Sequence, residues 1–462
     1  MMDARPAVSS AAITPPRTLV LVAAGVIATG LLLLPALANG FPFLFYDTGG
    51  YIEAGVDHVV KPGRSIIYGL LLQLGSKPAY WPVAAIQCAL CVWVLGLLLR
   101  AHGLGGRPLL LIGLAALLSG ATALPFVAGE LMPDVFAGLV GLALYLLLWR
   151  RSDLRPLEAV GLALLIAIGC ASHGSVLAIA LLGIAAAVTA AAFAPALRSG
   201  LHMSLPVSAV ALAILLPPVA NLLTAGRFAT TPGGTAFVFG RMLEDGLVAR
   251  YLDDHCPAAA LKLCALRSRL PDLADDFLWD DDEVFEAIGG FSGGAAEMRH
   301  VVLGGLAAYP LDNLVLAVRA TLKQLVRMET GDMMDETLWH STYQIRTTQP
   351  AARVALRTAR QQQVPSIDFD RLSLVHVPVG LAASLGVLLL AGAAGLTGRR
   401  EWLLLAGSVG FVLLANAAIC GALSNPHDRY QSRIVWIAVV VVFIAGARLL
   451  DHYRAGALPA RI

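Results

Sequence analysis

Long apolar runs, separated by short polar segments, make up most of the chain. A run of about 20 apolar residues is long enough to cross a bilayer as a helix. The first run is too long for the apolar core of a signal peptide and has no clear cleavage site, so we assign it as a span. We predict about ten spans, at 18–40, 82–100, 107–125, 134–149, 156–172, 175–196, 204–224, 372–394, 402–422 and 433–450. The pattern therefore predicts an all-α, polytopic membrane bundle.

One long polar region, 226–371, interrupts the series of apolar runs. A loop of this length requires structure of its own. Its Asp-Gly, Pro-Asp and Gly-Gly pairs predict turns, and apolar residues at helical spacing predict a helix over 311–326. We therefore expect three regions: an N-terminal membrane domain at 1–225, a mostly helical module at 226–371 and C-terminal membrane helices at 372–462.

Composition supports the membrane assignment, because the chain is 58% hydrophobic and only 14% charged, whereas soluble domains carry about 25% charged residues. Basic residues collect in alternate connections and, by the positive-inside rule, mark the cytoplasmic side. These residues are Arg5, Arg17, Arg100, His102, Arg107, Arg150, Arg151, Arg155, Arg198, Arg399, Arg400, His452, Arg454 and Arg461. We therefore predict a multi-pass protein of the inner (cytoplasmic) membrane, with both termini inside and the module and its neighbouring loops facing the periplasm.

The six cysteines divide into two groups. Four lie in apolar segments, where cysteine is most simply a small core residue. Cys256 and Cys264 lie in the polar module, and a disulfide between them is expected if that module is outside the cytoplasm.

The segment Phe41–Tyr51 places a carboxylate, Asp47, directly after the first apolar run. Two interpretations fit it. Asp47 is either a general base or metal-bridging carboxylate for attack by an acceptor hydroxyl, or the N-cap of a helix that starts near Tyr51.

Two further acids, Glu130 and Asp134, lie in the short turn between the third and fourth spans. Charge at the mouth of a span is costly and usually functional. Together with Asp47 these acids form a candidate cluster that orients an acceptor or holds a divalent cation. The alternative for Asp134 is that Pro133 and Asp134 begin the fourth helix.

Five basic residues are candidate partners for a phosphate: Arg64, His173, His427, Arg429 and Arg433. Fixed cations stabilise the charge that develops on a leaving phosphate, and the guanidinium fork matches its oxygens. The alternatives are that Arg429 and Arg433 snorkel at the membrane edge, that His173 is a hydrogen-bonded packing residue, and that Arg64 is an ordinary loop charge.

The module also contains acidic runs without the spacing of a helix-loop-helix calcium site, and we interpret them as solvated faces. They comprise Asp272, Asp275, Asp276, Asp280, Asp281, Asp282, Glu283, Glu329, Asp332, Asp335 and Glu336. The chain has no phosphate-binding glycine loop, zinc spacing or His-Glu-x-x-His motif. This absence disfavours an ATP-driven pump and a zinc protease.

Three motifs occur in a recognisable order. An aromatic-flanked Asp47 is followed by Gly50-Tyr51 and then by Gly63-Arg64-x-x-x-Tyr68-Gly69; a Pro133-Asp134 pair and an Arg429-Tyr430 pair come later. This order resembles the polyprenyl-phosphate-dependent glycosyltransferases of the GT-C fold, which include protein O-mannosyltransferases and lipid A aminoarabinose transferases. The resemblance covers the membrane regions and not 226–371. Ser65-Ile66-Ile67 replaces the family's usual Pro-Pro before the tyrosine, which leaves the substrate class open.

The resemblance implies a GT-C-like bundle that moves a sugar from a polyprenyl-phosphate donor to a glycan, lipid or protein acceptor, with inversion at the anomeric carbon. It implies a general base at Asp47, matched to the catalytic Asp of the family's first loop. With it we expect catalytic roles for Glu130 and Asp134, and substrate-binding roles for Tyr51, Arg64, Tyr68, His173, His427, Arg429 and Tyr430. Membrane lipids are expected partners and nucleic acid is not. Two other classes remain open: a transporter or flippase for a lipid-linked sugar, and a non-catalytic envelope assembly protein.

Overall fold

The computed structural model describes residues 17–279, 283–334 and 338–456. Arg5, Arg461, Asp280, Asp281, Asp282, Asp335 and Glu336 lie outside these ranges. The described residues form helices and contain no strand, only two isolated β-bridges. The predicted all-α membrane architecture is confirmed.

The N-terminal part contains ten α-helices in its described residues, which begin at Arg17. They are α1 (Arg17–Asn39), α2 (Tyr46–Asp57), α3 (Ile66–Leu74), α4 (Trp81–Ala101), α5 (Pro108–Ala121), α6 (Leu124–Gly129), α7 (Val135–Trp149), α8 (Pro156–Ser172), α9 (Gly174–Phe193) and α10 (Ser204–Ala225). The polar region adds α11 (Gly234–Glu244), α12 (Leu247–His255), α13 (Lys262–Leu266), α14 (Ala274–Trp279), α15 (Glu283–Ile288), α16 (Gly290–Gly293), α17 (Ala295–Ala308), α18 (Pro310–Val326), α19 (Trp339–Thr348) and α20 (Arg353–Thr358). The chain ends with α21 (Phe369–Leu396), α22 (Arg400–Leu423) and α23 (Asp428–Gly456).

Seven of the described helices are long and apolar enough to cross a membrane: α1, α4, α9, α10, α21, α22 and α23. Helices α5, α7 and α8 coincide with three more predicted spans but are shorter, at 10–17 residues. Helix α7 is the innermost of these, since every residue from Val135 to Leu148 is buried. A helix enclosed by other helices does not meet lipid, so its length is set by its neighbours.

The polar region does not have a single core. Side chains from Ala236 to Tyr309 form a hydrophobic cluster of their own, around residues such as Phe239, Phe277 and Met298. Residues after Met334, including Ile345 and Leu356, belong instead to the core of the membrane helices. The predicted disulfide between Cys256 and Cys264 is present within the first cluster.

Helix α18 confirms the helix predicted over 311–326, and it packs along α22. Ala320 and Gln324 lie against Gly421, where an added Cβ would be 2.7 Å from the Ala320 carbonyl oxygen. Helices α17 and α18 together are apolar enough for a further span, but the chain bends by 102° between them. The pair is therefore a broken helix beside the bundle.

The connections predicted to be cytoplasmic meet at one end of the bundle. Arg107 pairs with Asp451 at 2.8 Å, His102 Nδ1 donates a hydrogen bond to Glu401 at 2.9 Å, and Arg100 pairs with Glu158. These contacts join the ends of α4, α5, α8, α22 and α23. The other end carries the loops that contain the candidate chemistry.

Candidate functional site

An isolated parallel β-bridge joins the two acidic loops predicted to share a site. The Phe43 N–H donates to the Gly129 carbonyl at 3.0 Å, and the Leu131 N–H donates to the Phe43 carbonyl at 2.9 Å. The segment before Asp47 therefore lies beside Glu130, although about eighty residues separate them in sequence.

Helix α2 begins at Tyr46, five residues earlier than the Tyr51 start expected from sequence. The Phe45 N–H donates to the Thr48 hydroxyl at 3.0 Å, so Thr48 gives this backbone N–H a partner at the start of the helix. Ser341 donates to the Phe45 carbonyl at 2.6 Å and accepts from the Gly49 N–H at 2.9 Å. Asp47 lies in the first turn, so its interpretation as the N-cap is wrong. Its carboxylate is free for other partners and favoured by the helix dipole.

Two arginines hold the Asp47 carboxylate. Arg64 donates a hydrogen bond to Oδ1, and Arg429 Nη2 lies 3.8 Å from Oδ2. Burial raises the pKa of Asp47, but the charges of Arg64 and Arg429 outweigh this and the net pKa is below its usual value. With 22% of its side chain exposed, Asp47 is an ionised and partly accessible carboxylate.

Arg64 also connects the site to the module, because its guanidinium lies 4.8 Å from the centre of the Trp279 ring. Its neighbour Lys61 pairs with Glu53 on α2. The loop charges at Lys61 and Arg64 therefore fix this loop onto α2.

Asp134 and Arg433 form a buried ion pair, with 2.8 Å between Oδ1 and Nη1. Arg433 also donates to the Ser175 hydroxyl at 2.8 Å and to Asn416 Oδ1 at 3.1 Å. Since only 1% of the Arg433 side chain is exposed, the snorkelling interpretation of Arg433 is wrong. It points into the bundle.

Asp134 precedes the first residue of α7, as its helix-start interpretation predicts, but its side chain makes no capping hydrogen bond. Burial raises its pKa, but the charges of Arg429 and Arg433 outweigh this and lower the pKa to about 2. The helix-start position and the ion pair are therefore two separate features of Asp134.

Glu130 is buried like Asp134 but has the opposite electrostatic balance. Burial and the charge of Asp134 raise its pKa to about 8, although Arg429 opposes them. Its backbone carbonyl accepts from Gln87 at 2.8 Å, which fixes the loop. Glu130 is therefore protonated at neutral pH and can donate a hydrogen bond.

These groups surround a small cavity of about 30 Å³. Its ionisable walls are Glu130, Asp134, Asp332, Arg429 and Arg433, and its apolar walls include Phe45, Phe126, Val127, Ala123 and Met334. Arg429 Nε is buried without a hydrogen-bond partner, and so is Asp134 Oδ2. Buried polar atoms without a partner are uncommon and call for an explanation. We call this cavity, with its ionisable and apolar walls, the Arg429 cavity.

Three predicted substrate-binding tyrosines are not among the residues that line this cavity. Tyr68 donates to Gln87 Oε1 at 2.8 Å, and Tyr51 packs on the Tyr68 ring at 5.2 Å between centroids. The Tyr430 ring lies 5.2 Å from the Arg429 guanidinium and 5.3 Å from that of Arg433. These rings position α2 and the two arginines.

The two candidate histidines lie in different environments. His173 Nδ1 accepts from the Ser175 N–H at 3.2 Å and so caps α9, in line with its interpretation as a packing residue. Burial and the charge of Arg433 lower its pKa to about 4. His427 Nε2 lies 3.1 Å from Asp275, and Nδ1 lies 3.7 Å from Asp332. His427 therefore connects the module to the start of α23.

The acidic residues do not form a site that suits a divalent cation. The oxygens of Asp47 and Asp134 face guanidinium groups, and Glu130 is protonated at neutral pH. Among the described ranges, no group of three or more His, Cys, Asp or Glu side chains is disposed to hold a metal ion. The two arginines occupy the places where a cation would compensate the acids.

Sequence reasoning missed Ser341 and Gln361, which fold back onto the first loop. Gln361 accepts from the Leu44 N–H at 3.0 Å and donates to the Leu44 carbonyl at 2.7 Å. Their partners lie about 300 residues earlier in the chain, so no local pattern could reveal them.

Comparison with known proteins adds no identification at this point: no protein-family model matches the chain, and no significant match exists among curated proteins or solved structures. The functional argument therefore depends on the residues and geometry of this chain. Its central elements are the Arg429 cavity and the neighbouring carboxylate of Asp47.

Proposed function

We propose that this protein is an integral-membrane glycosyltransferase that moves a sugar from a polyprenyl-phosphate donor to an acceptor hydroxyl. The observation that carries the proposal is Arg429. Its guanidinium lines a cavity with both apolar and charged walls, has an unpartnered buried Nε, and lies 3.8 Å from Asp47. A phosphate is the group that such a guanidinium binds best, because its oxygens match the fork of N–H donors.

The apolar walls of the cavity suit the hydrocarbon next to the phosphate. Phe45, Phe126 and Val127 line the cavity beside the charged groups. Arg429 would compensate the charge that develops on the phosphate as the glycosidic bond breaks. Glu130, protonated at neutral pH, would donate a hydrogen bond to a phosphate oxygen. The Asp134–Arg433 ion pair would position both arginines and is not itself required to touch the donor.

In the transfer step, the acceptor hydroxyl oxygen attacks the anomeric carbon from the face opposite the phosphate. The new carbon–oxygen bond forms as the bond to the phosphate oxygen breaks, and the electron pair of that bond leaves with the lipid phosphate. The hydroxyl proton passes to Asp47, which acts as general base. This geometry inverts the anomeric centre.

Donor binding and the basicity of Asp47 would be linked. In the free protein Arg64 and Arg429 both face Asp47 and lower its pKa. A phosphate that draws Arg429 away removes part of this stabilisation, so Asp47 becomes a stronger base when the donor is in place.

The membrane placement forms part of the proposal. The three shorter helices α5, α7 and α8 would complete ten spans in a GT-C-like bundle. The basic connections that meet at the opposite end of the bundle support a cytoplasmic position for that end. The Arg429 cavity would then open on the periplasmic side of the inner membrane.

The test incubates purified full-length protein with a radiolabelled polyprenyl-phosphate sugar and an envelope extract as the source of acceptors. Transfer of the labelled sugar to an acceptor is measured. We expect Asp47→Asn to lower the transfer rate about 100-fold or more and Arg429→Ala to weaken donor binding. The matched control is Asp153→Asn, since Asp153 pairs with Arg150 at the other end of the bundle. Full activity of folded Asp47→Asn protein contradicts the role of Asp47 as base.

The same preparation separates the other two classes. Counterflow of a lipid-linked sugar in liposomes, with no transfer, would indicate a transporter. Retention of a partner protein through 226–371, with neither transfer nor counterflow, would indicate an assembly protein.

A further inference from the structure

A second and larger cavity, of about 590 Å³, lies between α2, α3 and α19. Its apolar floor includes Ile52, Val56 and Leu72, and one face of α19 forms a wall with Tyr343, Gln344 and Thr347. We call it the α19 groove. It shares no lining residue with the Arg429 cavity.

The α19 groove and the Asp47 carboxylate lie on different faces of α2. Ile52 and Val56 follow Asp47 by five and nine residues, which places them about 140° and 180° around the helix from it at about 100° per residue. The α19 groove is therefore not part of the charged site, and a ligand there would not contact the Asp47 carboxylate directly.

The polar groups of the α19 groove are almost all uncharged. Amides come from Gln73, Gln344 and Gln349, and hydroxyls from serine, threonine and tyrosine side chains. Asp57 is its single acid, and no Lys or Arg is among the described residues that line it. Without a cation, and with a carboxylate at its edge, the groove does not suit a phosphate or another anion.

Amides and hydroxyls suit a ligand rich in hydroxyl groups. Each amide offers donors and an acceptor, which complement vicinal sugar hydroxyls. The Thr347 and Thr348 hydroxyls donate to backbone carbonyls of α19 and are left to accept from a ligand. Tyr343 is 54% exposed. Its ring and the apolar floor offer surfaces for the C–H face of a sugar ring.

The walls argue against an extended peptide. Peptides that bind as added strands need an open sheet edge with free backbone groups. Here α2, α3 and α19 form the walls, and their backbone groups are paired inside the helices. The recognition chemistry is therefore carried by side chains.

We propose that the α19 groove binds a neutral glycan. Helix α19 is attached to α2 by His340, whose Nε2 lies 3.4 Å from Glu53, and by Ser341. A glycan held between these helices would brace α2, which carries Asp47. The identification of this glycan as the remote part of the acceptor rests on the proposed function. Binding of a glycan in the α19 groove does not.

The experiment applies the detergent-solubilised full chain to an array of neutral oligosaccharides and their carboxylated or sulfated counterparts. We expect binding to neutral members and at least tenfold weaker binding to the acidic counterparts. The double variant Gln344→Ala, Thr347→Ala should lose at least tenfold in affinity. Thr342→Ala is the matched control, because Thr342 lies on α19 outside the groove and bonds the Trp339 carbonyl.

Several results would overturn the proposal. They are absence of binding to every neutral member, equal or tighter binding of acidic members, or an unchanged affinity in the double variant. Thermal unfolding of the double variant checks that it is folded, and the single variant Gln344→Asn supplies a milder change if it is not. Asp47→Asn protein should keep glycan binding, so failure of the transfer chemistry and failure of this site are distinguishable.

Discussion

Asp134 and Arg433 are 299 residues apart in sequence and form an ion pair inside the bundle, with 2.8 Å between Oδ1 and Nη1. The pair joins the start of α7 to the inner face of α23. Next to it the Trp436 ring lies against Gly138, where an added Cβ would be 2.5 Å from the ring. The orientation of α23, and hence the position of Arg429, depends on this packing.

Removal of one partner of this pair should strongly destabilise the protein, because the other charge remains buried. We expect Arg433→Met to lower the free energy of unfolding by about 3–5 kcal/mol. Unfolding in detergent measures the change. The control is Arg371→Ala, whose pair with Asp368 is exposed and should contribute at most about 1 kcal/mol. A loss below 1 kcal/mol for Arg433→Met would contradict this account.

Helices α2 and α3 approach so closely that neither tolerates a side chain at the crossing. A Cβ on Gly69 would lie 2.5 Å from the Tyr51 carbonyl oxygen and 2.7 Å from the Gly55 nitrogen. We expect Gly69→Ala to destabilise the protein by about 1–3 kcal/mol through overpacking. Gly96→Ala on α4 is the control, since nothing lies within 4 Å of its added Cβ. Equal thermal stability of the two variants would show that α2 and α3 are not in this contact.

The protonated state of Glu130 predicts one component of the pH dependence of stability. Its pKa is raised from 4.5 to about 8 in the folded protein by burial and Asp134. Below pH 4.5 the group is protonated in both states and has no effect. Between these values the unfolded chain has released a proton that the folded chain keeps, so stability should fall as pH rises to about 8. Glu130→Gln should remove this slope in thermal unfolding, and an unchanged slope would contradict the prediction.

His427 predicts a second component with a different window. Burial lowers its pKa, but hydrogen bonds and charges from Asp275 and Asp332 outweigh this and raise it from 6.5 to about 9. Its stabilising effect is therefore complete below pH 6.5 and is lost as pH rises through about 9. We expect His427→Gln to be less stable than wild type at pH 6 and to approach wild type near pH 10. Parallel curves of stability against pH for the two proteins would show that the charge of His427 does not contribute to stability.

The disulfide should stabilise the module locally. Cys256 and Cys264 are separated by 8 positions, and closure of a loop of this size is worth about 2–3 kcal/mol in the chain-entropy account. We expect the double variant Cys256→Ser, Cys264→Ser to be cleaved faster by proteases within 236–309. Its membrane helices should stay protected. A reductant should have the same effect on wild type and none on the double variant. Cleavage spread evenly over the chain would contradict a local role.

The apolar runs by themselves determined the long apolar helices of this protein. Backbone groups in an apolar setting must be paired within the segment, so an apolar run of sufficient length forms a helix whatever surrounds it. The pairing of Cys256 with Cys264 was also local, because the two residues are close in sequence. The candidate residues Asp47, Glu130, Asp134 and Arg429 were evident because charge beside apolar runs is rare.

Only the tertiary structure decided what those charges do. Arg433 points inward because Asp134, Ser175 and Asn416 offer it partners there, and its own sequence neighbourhood equally suited the membrane edge. Helix α2 starts at Tyr46 rather than near Tyr51 partly because Ser341 bonds backbone groups of its first turn. Ser341 is 296 residues away from Phe45. The α19 groove likewise combines α2, α3 and α19. Burial and ion pairing depend on distances in space. A sequence pattern determines such distances only for residues that are close along the chain.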